Sequence, residues 1–405
     1  MKNRNQAPVK KKVFKSGPFK GVSVRDTFAR AALQETPVTV NLGPVSWPAS
    51  LAPKAQAFGT FAPGKVITVA ASVPTDVLVI LYTELEISAF LDVFTGSSAW
   101  TPATKKGWCL YGHNFAKFKG MIQEGVSGDP ALEAGAFGYL AALTVGNVNV
   151  TLYKTELHPK TDGPDIPFIA VIGQLISELN PKLVISTGTA GAIGSVLKCG
   201  DVVVTNSARL HCMDSYPLYP DLNTMSRANT EMQSSALVNP TYVQYAAANF
   251  TKLSLPGMAK CYAEFKGRSG YSFLTKNSQA PSIYVRGVNA VPGPEPMDVV
   301  SADYLTVDDN NDSEGLEALG VMNETDDAFA FFAISQLPSA SQPQWLSVRN
   351  ASEPQVSAPA FPAGTSPTAI VDTLKGIAGP IYGVYQYCTT LNSAFACWGV
   401  IAGMS

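Results

Sequence analysis

The sequence has little charge, few histidines and no ordered cysteine pattern. Only 15% of its residues are charged and the formal net charge is −2, which leaves no electrostatic reason to expect nucleic acid as a partner. Three histidines are too few for a histidine-rich centre, so we expect no metal site. Six cysteines without a CxxC spacing indicate thiols in a reducing compartment, and we therefore expect a cytoplasmic protein.

Long uninterrupted apolar runs are also missing. The longest candidate, residues 377–403, is broken by Gly379-Pro380 and by polar residues, so we expect a buried pair of terminal helices and no membrane partner. The basic amino terminus has no apolar segment behind it, which argues against a secretory signal. Residues 1–60 are rich in Pro, Ala, Lys and Ser, and we interpret them as a tail or arm.

Strand and helix patterns alternate from Val66 onward. The predicted strands are 76–82, 139–145, 148–153, 202–206, 297–301 and 345–349, with a further strand starting at 183. The predicted helices are 84–91, 166–179, 242–250 and 325–335. This alternation predicts an α/β domain over 61–405, with a mixed central sheet flanked by helices. Residues 213–296 have a less regular composition, which we interpret as a long insertion or lid.

A segment of small residues follows the strand that starts at Leu183. Its residues are Thr187, Gly188, Thr189, Ala190 and Gly191. We expect a tight loop whose glycines let the backbone approach a ligand, with free N–H groups that could hold oxygens of a nucleophile or a phosphate. The glycine spacing matches neither the dinucleotide fingerprint nor a P-loop, and a plain structural turn is the alternative.

The run L-K-C-G-D-V-V-V follows at residues 197–204. A strand, a T-G-T-A-G segment and then this run resemble the purine nucleoside phosphorylase and nucleosidase superfamily, nearest its methylthioadenosine/adenosylhomocysteine nucleosidase branch. The resemblance implies a nucleoside phosphorylase-like α/β fold with an N-terminal extension and a long insertion. It also implies cleavage of the N-glycosidic bond of a purine nucleoside or nucleotide.

Acidic residues follow three of the predicted strands, and their surroundings resemble the superfamily as well. The resemblance implies that Glu86 orients or deprotonates the attacking water, and that Glu324 holds the ribose hydroxyls with Asn323 beneath the sugar. It implies that Glu353 is the general acid toward the base, where the family has Asp. Carboxylates suit this chemistry because the sugar becomes oxocarbenium-like. The alternatives are helix-start acids stabilised by the helix dipole for Glu86 and Glu324, and a surface turn for Glu353.

Two further segments match the superfamily less specifically. The resemblance places Tyr304, Leu305, Thr306 and Ser352 in the base pocket, and plain core packing is the alternative. Arg209 and His211 would lie near the sugar 5′ end and a subunit interface, with a structural salt bridge as the alternative. Because members of this family commonly complete their pockets across an interface, we expect a homo-oligomer and favour a homodimer.

The nucleophile decides between hydrolysis and phosphorolysis. Phosphorylases of the superfamily usually carry an arginine loop after the first strand, where this chain has Glu84 and Glu86. Carboxylates repel phosphate, so we favour hydrolysis to free base and ribose product, without a cofactor. His158 and Lys160 could instead hold phosphate, and a phosphate-dependent phosphorylase is the alternative. A catalytically inactive nucleoside-binding sensor is a second alternative, because Asn323 and Glu353 depart from the family pattern.

Overall fold

The computed structural model describes residues 42, 45–56, 66–67, 73–96, 108–122, 130–158, 167–194, 196–211, 219–224, 227–229, 238–250, 280–286, 297–302, 319–354, 364 and 366–405. Most of the predicted tail, 1–60, lies outside these residues. So do Lys160 and the predicted base-pocket residues Tyr304, Leu305 and Thr306.

The described strands, in chain order, are β1 (Lys54–Gln56), β2 (Val66–Ile67), β3 (Val77–Leu81), β4 (Cys109–Tyr111), β5 (Gly138–Val145), β6 (Val148–Thr155), β7 (Leu183–Ala192), β8 (Val202–Thr205), β9 (Ser207–His211), β10 (Arg227–Asn229), β11 (Ile283–Val285), β12 (Val299–Ala302), β13 (Met322–Glu324) and β14 (Gln344–Pro354). The described α-helices are α1 (Glu84–Thr95), α2 (Phe115–Phe118), α3 (Pro130–Ala134), α4 (Phe168–Leu179), α5 (Pro220–Thr224), α6 (Pro240–Ala248), α7 (Asp327–Ser335) and α8 (Pro367–Ala402).

All the described strands join one mixed sheet. β7 lies at its centre and pairs in parallel with β3 on one edge and with β14 on the other. Toward one side β6 pairs in parallel with β3 and antiparallel with β5. β13 pairs with β7 farther along the same edge as β3, and β12 pairs in parallel with β13 and with β9. Beyond β14 the sheet continues with β8, which is antiparallel to it. The prediction of a mixed central sheet flanked by helices is confirmed.

β3 shows how the sheet is buried on both faces. Val77, Val79 and Leu81 pack into one apolar cluster, together with residues of α1, α6 and α8. Leu78 and Ile80 pack into the other cluster with residues of α4 and α7. Because both faces are covered by helices, the strand is a continuous apolar run rather than an alternating one.

Local signals account for the hairpin and for the first helix. Gly146-Asn147 joins β5 to β6 with Val145 opposite Val148, as predicted. Gly146 has a φ of 60°, which glycine adopts without strain. α1 begins in a capping box, in which the side chain of Thr83 accepts from the Glu86 N–H and the Glu86 side chain accepts from the Thr83 N–H. It ends at Gly96, whose left-handed conformation is typical of helix ends.

Two expectations of local structure were wrong. The segment 187–191 is part of strand β7 rather than a tight loop, because β14 pairs with β7 from Leu183 as far as Ala192 and satisfies its backbone groups. The carboxyl-terminal region is the single helix α8 rather than a helix pair. Pro380 lies inside this helix, where contacts of α8 with α1, α6 and β14 hold it in place.

The described parts of the segment 213–296 belong to the packed fold. β11 pairs in parallel with β8, and α6 packs against α8. Within the part of the chain that the structure describes, none of the helices combines the length and the apolarity needed to cross a bilayer.

Candidate active site

The candidate site lies where the sheet forks beside β7. β14 follows one edge of β7 along its whole length. The other edge pairs with β3 over residues 183–186 and with β13 over 191–192. Between these two strands the backbone of Thr187–Ala190 faces side chains instead of a neighbouring strand. Such a division of strands at the carboxyl end of a sheet is the usual position of a ligand site.

Glu86 binds directly to this exposed edge. One carboxylate oxygen accepts from the backbone N–H groups of Tyr82 and Thr83, each at 2.9 Å. The other accepts from the Thr189 N–H at 2.9 Å and from its hydroxyl at 3.1 Å. A carboxylate has about four acceptor positions, and these donors occupy them. Glu86 therefore joins the start of α1 to β7, and its predicted contact with the attacking water stays a prediction.

Gly188 explains why glycine is needed in this strand. Its φ is 143°, a conformation that residues with a side chain rarely adopt. A Cβ atom at this position would lie 2.3 Å from the nearer carboxylate oxygen of Glu86. We expected glycine to admit a ligand, and in the structure the group that it admits is the Glu86 carboxylate.

A buried arginine, Arg349 on β14, organises the acidic residues on one face of the site. Its side chain is only 1% exposed, and its Nε and Nη2 atoms bind both carboxylate oxygens of Asp327 at 2.6–3.2 Å. Nη2 also lies 3.4 Å from Glu324 and 3.6 Å from Asp326, and Nη1 donates to the Thr189 carbonyl at 3.2 Å. One guanidinium thus faces three carboxyl groups.

Glu324 and Asn323 lie side by side on β13 but point to opposite faces of the sheet, as neighbouring strand residues do. The Glu324 carboxylate accepts from the Ser301 hydroxyl and from the backbone N–H of Asp327, the latter at 2.9 Å. Asn323 instead donates to the carbonyl of Val300 at 3.1 Å. Burial, reinforced by the charge of Asp327, raises the pKa of Glu324 well above its usual value. The structure thus separates the side chains of the predicted ribose-binding pair.

Glu353 reaches the same strand from β14. A β-bulge between Ala351 and Glu353 shifts the register, so that Glu353 lies opposite Gly191. Bulges of this kind redirect a side chain at the end of a strand. The Ser352 hydroxyl donates to the Glu353 carboxylate and lies 3.3 Å from the Ala190 carbonyl. Ser352 itself is fully buried, and its contacts are with the protein.

Tyr382 on α8 completes the site, and the sequence analysis did not identify it. Its side chain makes a hydrogen bond with that of Thr189, and its hydroxyl lies within electrostatic range of Glu86, Glu353 and Asp326. Burial, together with these negative charges, raises the pKa of Tyr382. Thr189, the hydrogen-bond partner of Tyr382, is also the residue that Glu86 contacts, so α8 and α1 both reach the same point of β7. No local pattern in the run 377–403 singles this tyrosine out.

His158 stands at the edge of this cluster, just beyond β6. Its Nε2 lies 3.4 Å from the Thr325 hydroxyl and 3.5 Å from a carboxylate oxygen of Asp326. Its ring meets that of Tyr82 edge to face, with centroids 6.3 Å apart. Burial raises the pKa of Asp326 to about 7, although Arg349 opposes the shift. Asp326, Asp327 and Arg349 lie within a few residues of Glu324 and Glu353 in the sequence, where no local pattern marked them as charged partners.

Arg209, one of the two residues predicted for the sugar 5′ end, takes part in ion pairs around Asp298. Arg209 binds the buried Asp298 at 2.9 Å, and Arg286 binds the other oxygen of the same carboxylate at 2.5 Å. This is the ion pair that the sequence analysis kept as an alternative. His211 lies at the end of β9, in register with Ala302 of β12. Among the described residues, no three His, Cys, Asp or Glu side chains have the arrangement of a metal site.

The fold and the site define a mixed α/β protein with an acidic cluster at the carboxyl ends of its central strands. Residues 133–256 match the family model of the phosphorylase superfamily, which confirms the resemblance to that superfamily over this part of the chain. The matched residues include His158, the segment 187–191, Arg209 and His211. No curated protein matches the sequence.

Several solved structures are similar to this chain. One is 5′-methylthioadenosine/S-adenosylhomocysteine nucleosidase from Helicobacter pylori with butyl-thio-DADMe-Immucillin-A, at 12% identity over 81% of this chain and 98% of that chain, with a TM-score of 0.43. Another is a futalosine hydrolase mutant of Helicobacter pylori. It is 12% identical over 81% of this chain and 99% of that chain, with a TM-score of 0.42. A third is the 5′-methylthioadenosine/S-adenosylhomocysteine nucleosidase from Neisseria meningitidis in complex with methylthio-immucillin-A. It is 14% identical over 76% of this chain and 100% of that chain, with a TM-score of 0.35.

Proposed function

We propose that this protein hydrolyses the N-glycosidic bond of a purine nucleoside or nucleotide, releasing the free base and a ribose product. The observation that carries the proposal is the convergence of acidic residues from distant segments on one strand end. Glu86 contacts Thr189, Glu353 lies opposite Gly191, and Glu324 is held to the same strand end through Arg349. A cluster of carboxylates suits a reaction in which the sugar gains positive charge.

The proposed roles follow from position and from hydrogen bonding. Glu353 is the general acid that protonates the leaving base, and the Ser352 hydroxyl orients its carboxyl group. Glu324 faces the ribose hydroxyls, with its carboxylate fixed by Ser301 and by backbone N–H groups. Glu86 fixes the geometry of Thr189 and therefore of the strand against which the sugar would lie.

The charge balance of the described site favours water over phosphate as the nucleophile. Arg349 is the cation at its centre, and Asp327 and the Thr189 carbonyl engage three of its nitrogen atoms. Phosphate entering here would meet several carboxylates and little uncompensated positive charge. A phosphorylase remains the alternative function, with His158 and Lys160 as the residues that would hold phosphate.

An assay of products tests the proposal. The purified protein is incubated with adenosine, inosine and their 5′-nucleotides, with and without inorganic phosphate, and the products are separated by chromatography. We expect free base and free ribose, or ribose 5-phosphate from a nucleotide, at a rate that phosphate does not change. Ribose 1-phosphate that appears only with phosphate would establish phosphorolysis. Binding of the nucleoside without release of base would establish the sensor.

A Glu353→Gln preparation controls for a contaminating hydrolase, because loss of the general acid should remove the activity from an otherwise identical preparation. We also propose that the protein is a cytoplasmic homodimer that needs no cofactor. Light scattering coupled to size-exclusion chromatography tests the dimer, and full activity after exhaustive dialysis against a chelator tests the absence of a cofactor.

A further inference from the structure

Asp327 connects the central strands of the site to α7. It is the first residue of that helix and is fully buried. Its carboxylate accepts from the hydroxyl of Ser186 on β7, from the hydroxyl of Ser347 on β14 and from Arg349. The helix dipole favours an acid at the start of a helix, but it does not account for partners on two neighbouring strands. A buried carboxylate with partners from such distant segments holds them in one arrangement.

The contact between Asp327 and Arg349 is a fork. Nε lies 3.1 and 3.2 Å from the two carboxylate oxygens, and Nη2 lies 2.6 Å from one of them. Pairing of this kind fixes the plane of a guanidinium as well as its position. The same guanidinium lies over the ring of Tyr82, with Cζ 5.0 Å from the ring centroid, and the Tyr82 hydroxyl is 2.7 Å from that of Ser186. Arg349 is therefore held on its edge by Asp327 and on its face by Tyr82.

The orientation of Arg349 determines what its outer nitrogen atoms reach. Nη2 lies 3.4 Å from the Glu324 carboxylate, farther than its 2.6 Å contact with Asp327. Nη1 donates to the carbonyl of Thr189 at 3.2 Å. One guanidinium thus connects the proposed ribose-binding carboxylate with the neighbouring segment of β7. Two carboxylates compete for this cation, and Asp327 has the closer contacts.

We propose that Asp327 is a positioning residue that sets the preference of the enzyme for ribonucleosides over deoxyribonucleosides, an inference that rests on the proposed hydrolase function. By holding Arg349 in the fork, Asp327 prevents the guanidinium from closing on Glu324 and keeps the Glu324 carboxylate oriented toward the ribose hydroxyls. Without the Asp327 charge, Arg349 turns to Glu324, which already lies within its reach at 3.4 Å. The hydrogen bonds from Glu324 to the ribose then weaken. Because a site that binds a substrate hydroxyl discriminates against the analogue that lacks it, substrate preference reports this coupling.

The test measures kcat/KM of wild-type and Asp327→Asn protein with adenosine, 2′-deoxyadenosine and 3′-deoxyadenosine, and with inosine and its deoxy analogues. Asparagine keeps the shape of aspartate but carries no charge to hold the arginine. The wild type should favour the ribonucleoside by about 100-fold or more, and this preference should fall about tenfold or more in the variant. Glu178→Gln is the matched control, because it neutralises another largely buried carboxylate that is paired, in that case with His113. The control should keep the wild-type preference.

Two further variants separate positioning from a loss of stability. Ser347→Ala removes one hydroxyl that donates to Asp327 and leaves its charge in place, so it should lower the preference in the same direction, by about threefold. It keeps the inference testable where Asp327→Asn folds poorly. In a Glu324→Gln background, the Asp327 substitution should change the preference less than about twofold, because the two residues act through one arginine. General loss of structure would instead lower kcat/KM for every nucleoside by the same factor.

The possible failures are distinguishable. If the wild-type protein releases no base from any nucleoside, the proposed hydrolase function and this inference are both wrong. If the wild type is active but cleaves ribonucleosides and deoxyribonucleosides equally well, the function stands, and the ribose role of Glu324 and this inference are wrong. If the wild type prefers ribonucleosides and neither Asp327→Asn nor Ser347→Ala lowers that preference, only the positioning role of Asp327 is wrong.

Discussion

Arg349→Met tests the electrostatic core of the site. Removing one partner of a buried ion pair leaves the other charge uncompensated and costs about 3–5 kcal/mol. We expect the upper part of this range at pH 8, because the arginine is 1% exposed and binds Asp327 through two nitrogen atoms. Glu324 and Asp326 would lose their nearby positive charge as well. Methionine fills a similar volume, so the lost charge rather than a cavity should dominate.

The cost should depend on pH. Burial already raises the pKa values of Glu324 and Asp326, and Arg349 opposes both shifts. Without the arginine these carboxyl groups will bind protons at still higher pH, and protonation removes the uncompensated charge. The difference in unfolding free energy between wild type and variant should therefore shrink as the pH is lowered from 8 to 5.

Urea unfolding followed by tryptophan fluorescence measures this difference, since Trp345 and Trp398 are buried. Lys182→Met is the control, because the Lys182 side chain is 75% exposed in its ion pair with Asp76. Exposed pairs contribute about 1 kcal/mol or less. If Arg349→Met costs no more than the control, or costs the same at pH 5 and pH 8, the account of a charge-balanced buried cluster is refuted.

Three further predictions concern single residues. Gly188→Ala should lower the free energy of unfolding, measured by thermal unfolding, by about 3 kcal/mol or more, because its Cβ would clash with Glu86 at a φ of 143°. The control Gly96→Ala, whose Cβ would lie in open space at a φ of 65°, should lower it by roughly 1 kcal/mol. Equal losses in the two variants would contradict the clash. Burial raises the pKa of Asp326 from its ordinary value of 3.8 to about 7 in the folded protein, so its contribution to stability is present below pH 4 and lost as the pH rises to about 7. Asp326→Asn should flatten this part of the urea-midpoint profile, and an unchanged profile would contradict the shift. Glu353→Gln should lower kcat about 100-fold or more while calorimetry shows retained base binding; an equal loss of binding would indicate a structural role.

Much of the fold follows from patterns within short stretches of sequence. The apolar run of β3, the Gly146-Asn147 turn and the helical spacing of α4 were each sufficient to predict their element. In the structure Glu86 and Glu353 both lie beside the segment 187–191, in agreement with the rule that ligand sites form at the carboxyl ends of strands. These signals depend on residues close together in the chain.

The errors and omissions have a common cause. The segment 187–191 was expected to be a loop because glycines weaken a strand, yet pairing with β14 extends β7 through it. Pro380 was expected to break a helix, yet α8 continues through that position, where it packs against α1, α6 and β14. Tyr382 has no local motif, and its place beside Thr189 depends on where α8 docks. For the glycine segment and for Pro380, distant contacts outweigh a local preference of about 1–3 kcal/mol.

The sequence by itself determined the order of strands and helices, the segments that end in acidic residues and the resemblance of those segments to a nucleoside-cleaving superfamily. Only the tertiary structure decided what each acid can do. The availability of a carboxylate depends on how many donors reach it and how deeply it is buried, and those donors come from Thr189, Ser301 and Arg349, far away in the chain. For this reason the structure, and not the motif, distinguishes Glu86, whose carboxylate accepts four hydrogen bonds from the protein, from Asp326, whose side-chain contacts are longer.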